Sequence, residues 1–259
     1  MTRYNVSFAG AGRVAGALCR EMYRAGHKII QIVSESGTYG KPLAGDCMAL
    51  WSQELIFRDP VDIIIVAVPD NRLIEVLSGI SYTGNPVIVH TAGSYGLDIF
   101  PSGLKRTGVL YPLQTFSIGR IVKFRDLPFL LEASGTETRD ILERLALSLK
   151  GDVHFIDTER RKKIHLAAVF VCNFTNHMLT AGEKIIADAG LSFKLLEPLI
   201  KETISKALEF GPDASQTGPA VRNDLNTIEK HLELLSFSPD LQNLYKEMTK
   251  SIMKHYKQI

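Results

Sequence analysis

The sequence predicts an α/β chain: a doubly wound parallel sheet comes first, and an all-helical domain follows. Two patterns carry this reading. Over residues 1–157, short β-branched runs alternate with amphipathic helical stretches, the signature of a parallel sheet with crossover helices. Over residues 158–259 the spacing is helical and no convincing strand occurs. A third observation is a glycine turn, Gly10-Ala11-Gly12-Arg13-Val14-Ala15, placed where the first strand meets the first helix.

The elements follow in order. Residues 4–9 read as the first strand. Residues 14–25 read as a helix with Val14, Ala17, Leu18 and Met22 on one face, stopped by Gly26. Residues 28–33 form the second strand. The run 62–68 is apolar after Asp62, as a central parallel strand buried on both faces requires, and Pro69 ends it. Residues 86–91 give another strand, leading into the turn Ala92-Gly93-Ser94. Strands at 128–133 and 152–156 enclose a helix at 136–149. Beyond Asp157 the chain reads as four helices: 159–189 with Gly190 as stop, 194–210, 222–235, and 239 to the end.

Composition narrows the function classes. Of 259 residues, 45% are hydrophobic and 22% charged, which is ordinary for a globular protein. A net charge of +2 lacks the concentrated basic face of a nucleic-acid binder. The run Arg160, Arg161, Lys162, Lys163 is flanked by Asp157 and Glu159 and reads as a solvated first helical turn. No stretch approaches the roughly 20 apolar residues that span a bilayer, and the chain starts directly in a strand pattern without a leader. Cys19, Cys47 and Cys172 are widely spaced with no CxxC pair, so they read as small buried residues rather than a disulfide or zinc framework. His27, His154, His231 and His255 show no metal-ligand spacing. The expectation is a cytoplasmic protein with no metal, nucleic-acid or membrane partner.

The glycine turn carries the chemistry. Gly10 permits the tight turn and Gly12 lets backbone approach a pyrophosphate. Ala15 allows close helix–strand packing, while Ala11, Arg13 and Val14 lie at a helix start whose free N–H groups favour phosphate. A strand before it and a helix after it are the context a dinucleotide-binding Rossmann motif needs. The implied cofactor is NAD or NADP. Ser34 and Glu35 follow the second strand, and an acid about 20 residues past the turn accepts a ribose 2′-OH and repels a 2′-phosphate. An NADP site would want an arginine, and none is near. Lys41 and the serines offer an NADP alternative, and a solvated loop carboxylate is the plain account of Glu35; the balance leans slightly to NAD.

Several segments together resemble a bacterial family of Rossmann-like proteins with a C-terminal domain of unknown function (DUF2520 type). This family is related to F420-dependent NADP oxidoreductases and pyrroline-5-carboxylate reductases. The segments are the Gly10 turn, Val66-Ala67-Val68-Pro69-Asp70, His90-Thr91-Ala92-Gly93-Ser94 and Tyr111-Pro112-Leu113-Gln114-Thr115-Phe116. They continue with His165-Leu166-Ala167-Ala168-Val169 plus Asn173, and with Thr217-Gly218-Pro219-Ala220-Val221-Arg222-Asn223-Asp224. The resemblance implies a helical domain like that of 6-phosphogluconate dehydrogenase relatives, and it supplies no substrate. The chain departs from the family's pattern in carrying Tyr111 where histidine is common and Ser34-Glu35 in place of a serine–arginine pair. Val169 stands four residues before Asn173, where hydroxyacid dehydrogenases place a catalytic lysine.

On a regular helix His165, Asn173 and Asn176 fall within about 80° of one another, a polar stripe on an apolar helix that is costly to bury unpartnered. His165 and Asn173 are the candidate catalytic residues, expected to line an interdomain cleft, with His165 as proton partner of a hydride transfer. A hydrogen-bonded structural histidine is the competing account. Tyr111, Gln114 and Thr115 are placed near a strand's carboxyl end, where ligands of such sheets bind. Thr217 and Arg222 are candidates for gripping substrate, Arg222 through a carboxylate. Val68, Pro69, Asp70 and Thr91, at strand ends, are assigned to the cofactor. Two functions are open: an NAD(P)-dependent oxidoreductase acting on a small polar metabolite, or a non-catalytic dinucleotide sensor or assembly protein. The helix at 159–189, about 45 Å long at 1.5 Å per residue, is apolar on several faces, which points to a homodimer through the helical domain.

Overall fold

The computed structural model describes residues 2–117 and 119–256. The chain divides into two compact units, Met1–Cys172 and Asn173–Ile259. The first holds β1 (Asn5–Ala9), α1 (Arg13–Arg24), β2 (Lys28–Val33), α2 (Gly37–Asp46), β3 (Leu50–Ser52), β4 (Ile56–Phe57) and β5 (Ile63–Val66). It continues with α3 (Leu73–Gly79), β6 (Ser81–Tyr82), β7 (Val87–His90), β8 (Thr107–Pro112), β9 (Pro128–Ala133), α4 (Thr136–Ser148), β10 (Asp152–Phe155) and α5 (Thr158–Ala168).

Eight strands form one sheet in the order β10-β9-β8-β7-β5-β1-β2-β3, and β4 pairs with β6 in a separate ribbon. Successive residues of β5 point to opposite faces, and the packing follows: Ile63 and Ile65 enter one core, Ile64 and Val66 another. The first core takes Leu18 and Met22 of α1, Leu43 of α2, and Leu142 and Leu145 of α4. The second takes Leu73 and Leu77 of α3. Helices thus cover both faces, which makes the sheet doubly wound. Each such leucine contributes about 1.5–3 kcal/mol on burial. Gly26, at φ +91°, stops α1.

The expectation of a wholly parallel sheet is corrected at one ladder. β8 and β9 pair antiparallel, Leu110 opposite Leu131, while the remaining ladders are parallel. A parallel neighbour needs a crossover, usually helical; the described residues of the connection 113–127 contain no helix. The basic run at the start of α5 also needs correction. Arg160, Lys162 and Lys163 are exposed, but Arg161 is fully buried.

Helical backbone continues past α5 as a π turn, Val169–Phe174. Each residue of a π turn advances by less than 100°, so the shared face computed for His165, Asn173 and Asn176 on a regular helix does not follow.

The second unit contains α6 (Thr175–Asp188), α7 (Glu197–Phe210), the single turn α8 (Pro212–Ser215), α9 (Leu225–Leu234) and α10 (Pro239–Tyr256). The third predicted helix begins later than expected. Asp224 is its N-cap, accepting from Thr227 N at 3.1 Å and Thr227 Oγ1 at 2.7 Å, so Arg222 lies in the preceding turn. In the single chain α6 and α7 bury no residue, and Leu191, Leu195, Leu199 and Leu208 are exposed. Among the described residues no helix is long and apolar enough to cross a membrane.

Candidate functional site

β1 ends between β2 and β5, and the chain leaves it through Gly10 at φ +110°. A Cβ there would stand 2.2 Å from the Ala67 carbonyl oxygen, so only glycine fits. The Gly10 N–H donates to the Val33 carbonyl at 2.7 Å, tying the turn to β2. Gly12 is the N-cap of α1, and nothing lies within 4 Å of the position a Cβ would take. Space for a ligand therefore opens where the helix presents its N–H groups, with no acid in the first turn to compete. Ala11 and Val14 are half-buried, Arg13 is exposed, and Ala15 is fully buried against the sheet. A cleft of about 630 Å³ adjoins this turn, lined among others by Gly12, Arg13, Tyr39, Arg120 and Phe124. These features fit a dinucleotide pyrophosphate.

Strand ends on either side complete the rim. Val68 is half-buried and packs on the second core, while Pro69 and Asp70 are exposed. The Asp70 carboxylate accepts from the Ser94 hydroxyl. Thr91 is half-buried, and its N–H donates to the Val66 carbonyl at 3.2 Å. His90 is fully buried: its Nδ1 accepts from Ala92 N at 3.2 Å, which leaves Nε2–H to donate to the Gly96 carbonyl at 3.2 Å. Burial holds this imidazole neutral, with its pKa pushed down to about 4. His90 thereby builds the turn that carries Gly93 and Ser94.

That turn bears on the main constellation. Tyr111, in β8, places its hydroxyl 3.0 Å from His165 Nδ1, with the rings edge to face at 5.8 Å. A Cβ on Gly93 would stand 2.6 Å from the same Nδ1 and 3.0 Å from the His165 Cβ, so the His165 side chain comes as close as it does because position 93 has no side chain. Burial raises the Tyr111 pKa, Asp70 adding to the rise and Arg161 opposing it. Tyr111 is therefore a protonated phenol at neutral pH. The helix bearing His165 is anchored below by Arg161, which donates to Glu132 at 2.5 Å and to the Tyr95 carbonyl at 2.5 Å. Thr158 Oγ1 also reaches the Glu132 carboxylate, at 2.9 Å.

Gln114 and Thr115 are exposed just past β8. The Gln114 side chain accepts from Thr115 N at 2.8 Å, a loop-internal bond. In the second unit Asn173, Thr217 and Arg222 are all exposed, and Arg222 forms no ion pair among the described residues.

Past β2, Ser34 Oγ accepts from Trp51 Nε1 at 3.0 Å and donates to the Ser36 carbonyl at 2.9 Å. Glu35 is exposed and ion-paired with Arg72, which corrects the expectation that no arginine is near. Arg72 is distant in sequence and comes alongside only because β2 and β5 flank β1. Gly93, Arg161 and Glu132 were likewise missed. The composition of Ala92-Gly93-Ser94 marked a turn, but nothing local marked the ring that lies on it. Cys19 and Cys47, separated in sequence, meet in the core as free thiols with sulfurs 3.4 Å apart. Among the described residues no group of three or more His, Cys, Asp or Glu is arranged to hold a metal.

Two family models match: a Rossmann-like domain over residues 1–115 and a domain of unknown function (DUF2520) over residues 127–252. Among solved structures the chain is 38% identical to a Bacteroides fragilis protein given the provisional description NADP oxidoreductase. The TM-score is 0.92 over 97% of this chain and 98% of that one. A Thermotoga maritima protein is 24% identical, with a TM-score of 0.79 over 97% and 99% of the two chains. A reductive aminase from Aspergillus terreus, solved with NADPH and ethyl-5-oxohexanoate, is 14% identical, with a TM-score of 0.71 over 98% and 95%. At that distance the likeness is one of fold. No protein of curated function matches the sequence.

Proposed function

The chain belongs to the family that joins a Rossmann-like domain to a C-terminal domain of unknown function, and from that premise we propose that it is an NAD(P)-dependent oxidoreductase acting on a small polar carbonyl or imine. The observation that carries the reading is the Tyr111–His165 pair, 3.0 Å apart, at the carboxyl end of β8, two places from β5 on the same sheet as the glycine turn. The description of the Bacteroides fragilis relative supports a nicotinamide cofactor.

Gly10, Ala11, Gly12, Arg13 and Val14 would hold the pyrophosphate. Val68, Pro69, Asp70 and Thr91 line the rim toward the nicotinamide end. The cofactor supplies or accepts the hydride. The protein's part is the proton. With Nδ1 of His165 donating to the Tyr111 oxygen, the phenolic O–H is free to point at the substrate heteroatom. Tyr111 then gives its proton to the heteroatom as charge develops there, and the half-buried His165 returns one from Nδ1 while Nε2 takes one up from solvent. The raised pKa of Tyr111 keeps the donor charged with its proton until that moment. Gly93 leaves the room in which the imidazole sits. Asn173 is kept as a candidate catalytic residue, Gln114 and Thr115 are assigned to substrate from their place past the end of β8, and Thr217 and Arg222 from the family resemblance.

The test is NADPH and NADH oxidation by the purified protein against a panel of keto acids and imines. Turnover is expected, and Tyr111→Phe lowers kcat/KM about a hundredfold, within the range of general acid catalysis, with dinucleotide affinity unchanged. Binding without turnover on any substrate would favour a sensor and end the enzymatic reading.

The dimer is part of the same proposal. Helices with no buried residue and several exposed leucines need cover, and a second copy of α6 and α7 is the simplest one.

A further inference from the structure

We infer that Arg72, reaching across the glycine turn, reads the adenosine 2′-phosphate of NADP(H), and that Glu35 is the group this phosphate displaces. The inference rests on the reading of Gly10 to Val14 as a dinucleotide site.

The topology places the two residues. Glu35 follows β2 and Arg72 follows β5, and these strands pair with β1 on opposite sides, Ala9 facing Val33 on one and Val66 on the other. The Arg72–Glu35 ion pair therefore spans the mouth of the turn, over the side where a dinucleotide bound at the turn would carry its adenosine ribose. Arg72 Nη2 also donates to Glu75 at 3.3 Å, one helical turn further on, so the guanidinium is posed rather than free.

Elimination points the same way. The Ser34 hydroxyl is used as both acceptor and donor, by Trp51 and the Ser36 carbonyl. Ser36 caps α2, its Oγ accepting from Thr38 N at 3.1 Å. Lys41 lies over the Trp51 ring, 4.7 Å from its centroid. Among Ser34, Ser36, Lys41 and Arg72, it is Arg72 that is held only by surface carboxylates. Its side chain is 42% exposed, and that of Glu35 77%. Exposed pairs of this kind are weakly held. A phosphate dianion matches the guanidinium fork with two parallel bonds and outcompetes a single carboxylate. α2 begins at Gly37 with no acid in its first turn, so its amino end adds to the attraction. Glu35 is then a built-in competitor: it keeps Arg72 neutralised when no phosphate is there and limits the preference for NADP(H).

Calorimetry with adenosine 2′,5′-bisphosphate, adenosine 5′-monophosphate, NADPH and NADH tests this without any substrate. The wild-type protein binds each 2′-phosphorylated ligand more tightly than its counterpart. Arg72→Gln weakens the 2′-phosphorylated ligands about tenfold, the loss of one charge-assisted contact, and leaves NADH and the monophosphate within twofold. Arg72→Lys, which keeps the charge but not the fork, falls between. Glu35→Gln tightens NADPH and leaves NADH nearly unchanged. A wild-type preference for NADH would overturn the inference. So would equal losses for both ligand classes in Arg72→Gln, or no loss for NADPH. If the wild-type protein binds neither dinucleotide, the underlying reading falls first and takes the inference with it.

Discussion

Replacing Gly12 by valine separates the role of the glycine turn in binding from its role in folding. The backbone at Gly12 is extended, φ −72° and ψ −166°, which valine adopts, and nothing lies within 4 Å of the new Cβ. Loss of a glycine N-cap costs at most about 1 kcal/mol, or about 2–4 °C in melting temperature for a domain of this size. The same side chain fills the space a pyrophosphate must enter. Two charge-assisted hydrogen bonds from the helix start, at about 1.5 kcal/mol or more each, amount to about a hundredfold in Kd. Gly10→Ala is the contrasting variant. Its Cβ would lie 2.2 Å from the Ala67 oxygen with φ at +110°, so the fold itself has to give, at about 3 kcal/mol or more. Calorimetry with NADH and NADPH and thermal melts read the two effects apart. Unchanged affinity for both dinucleotides in Gly12→Val would refute the reasoning. A melting temperature as low as that of Gly10→Ala would refute the claim that Gly12 faces open space.

Three further outcomes follow from the geometry. His90 stays neutral in the folded chain down to about pH 4, whereas in the unfolded chain it takes up a proton below about pH 6.5. Stability is therefore full above the higher value and falls between the two by up to about 3 kcal/mol, read by urea titration across that range; a flat profile contradicts the buried neutral imidazole. Glu132→Ala strands the fully buried Arg161 and should cost about 3–5 kcal/mol in the same assay, with a loss below about 1 kcal/mol counting against the anchor. Light scattering should give about twice the 28.7 kDa chain mass at micromolar concentration, and a monomer mass would refute the dimer.

Much of the first unit was legible because its signals are local. A strand buried on both faces has to be apolar at every position, so the run around Ile63–Val66 announced itself. The same holds for Gly10 and Gly12, whose constraints come from neighbouring backbone and from the helix they start. Shorter elements such as α2, β3 and β4 escaped notice. α2 carries Gly37, Gly40, Pro42 and Gly45, which obscure helical spacing, and β4 is two residues long.

The sequence by itself determined the doubly wound sheet, the glycine turn and the helical nature of the rest, because periodicity and backbone conformation are properties of contiguous residues. Only the tertiary structure decided the site. Tyr111 meets His165, Arg72 meets Glu35, and Arg161 meets Glu132 across separations of 54, 37 and 29 residues. Those pairings are set by strand order, which decides which loops share a sheet edge. The π turn at Val169–Phe174 likewise departs from the regular 100° spacing on which the polar stripe was reckoned. Arg161 shows the reason most plainly: a charge in a basic run belongs in water unless a distant carboxylate comes to meet it, and nothing within the run announces that carboxylate.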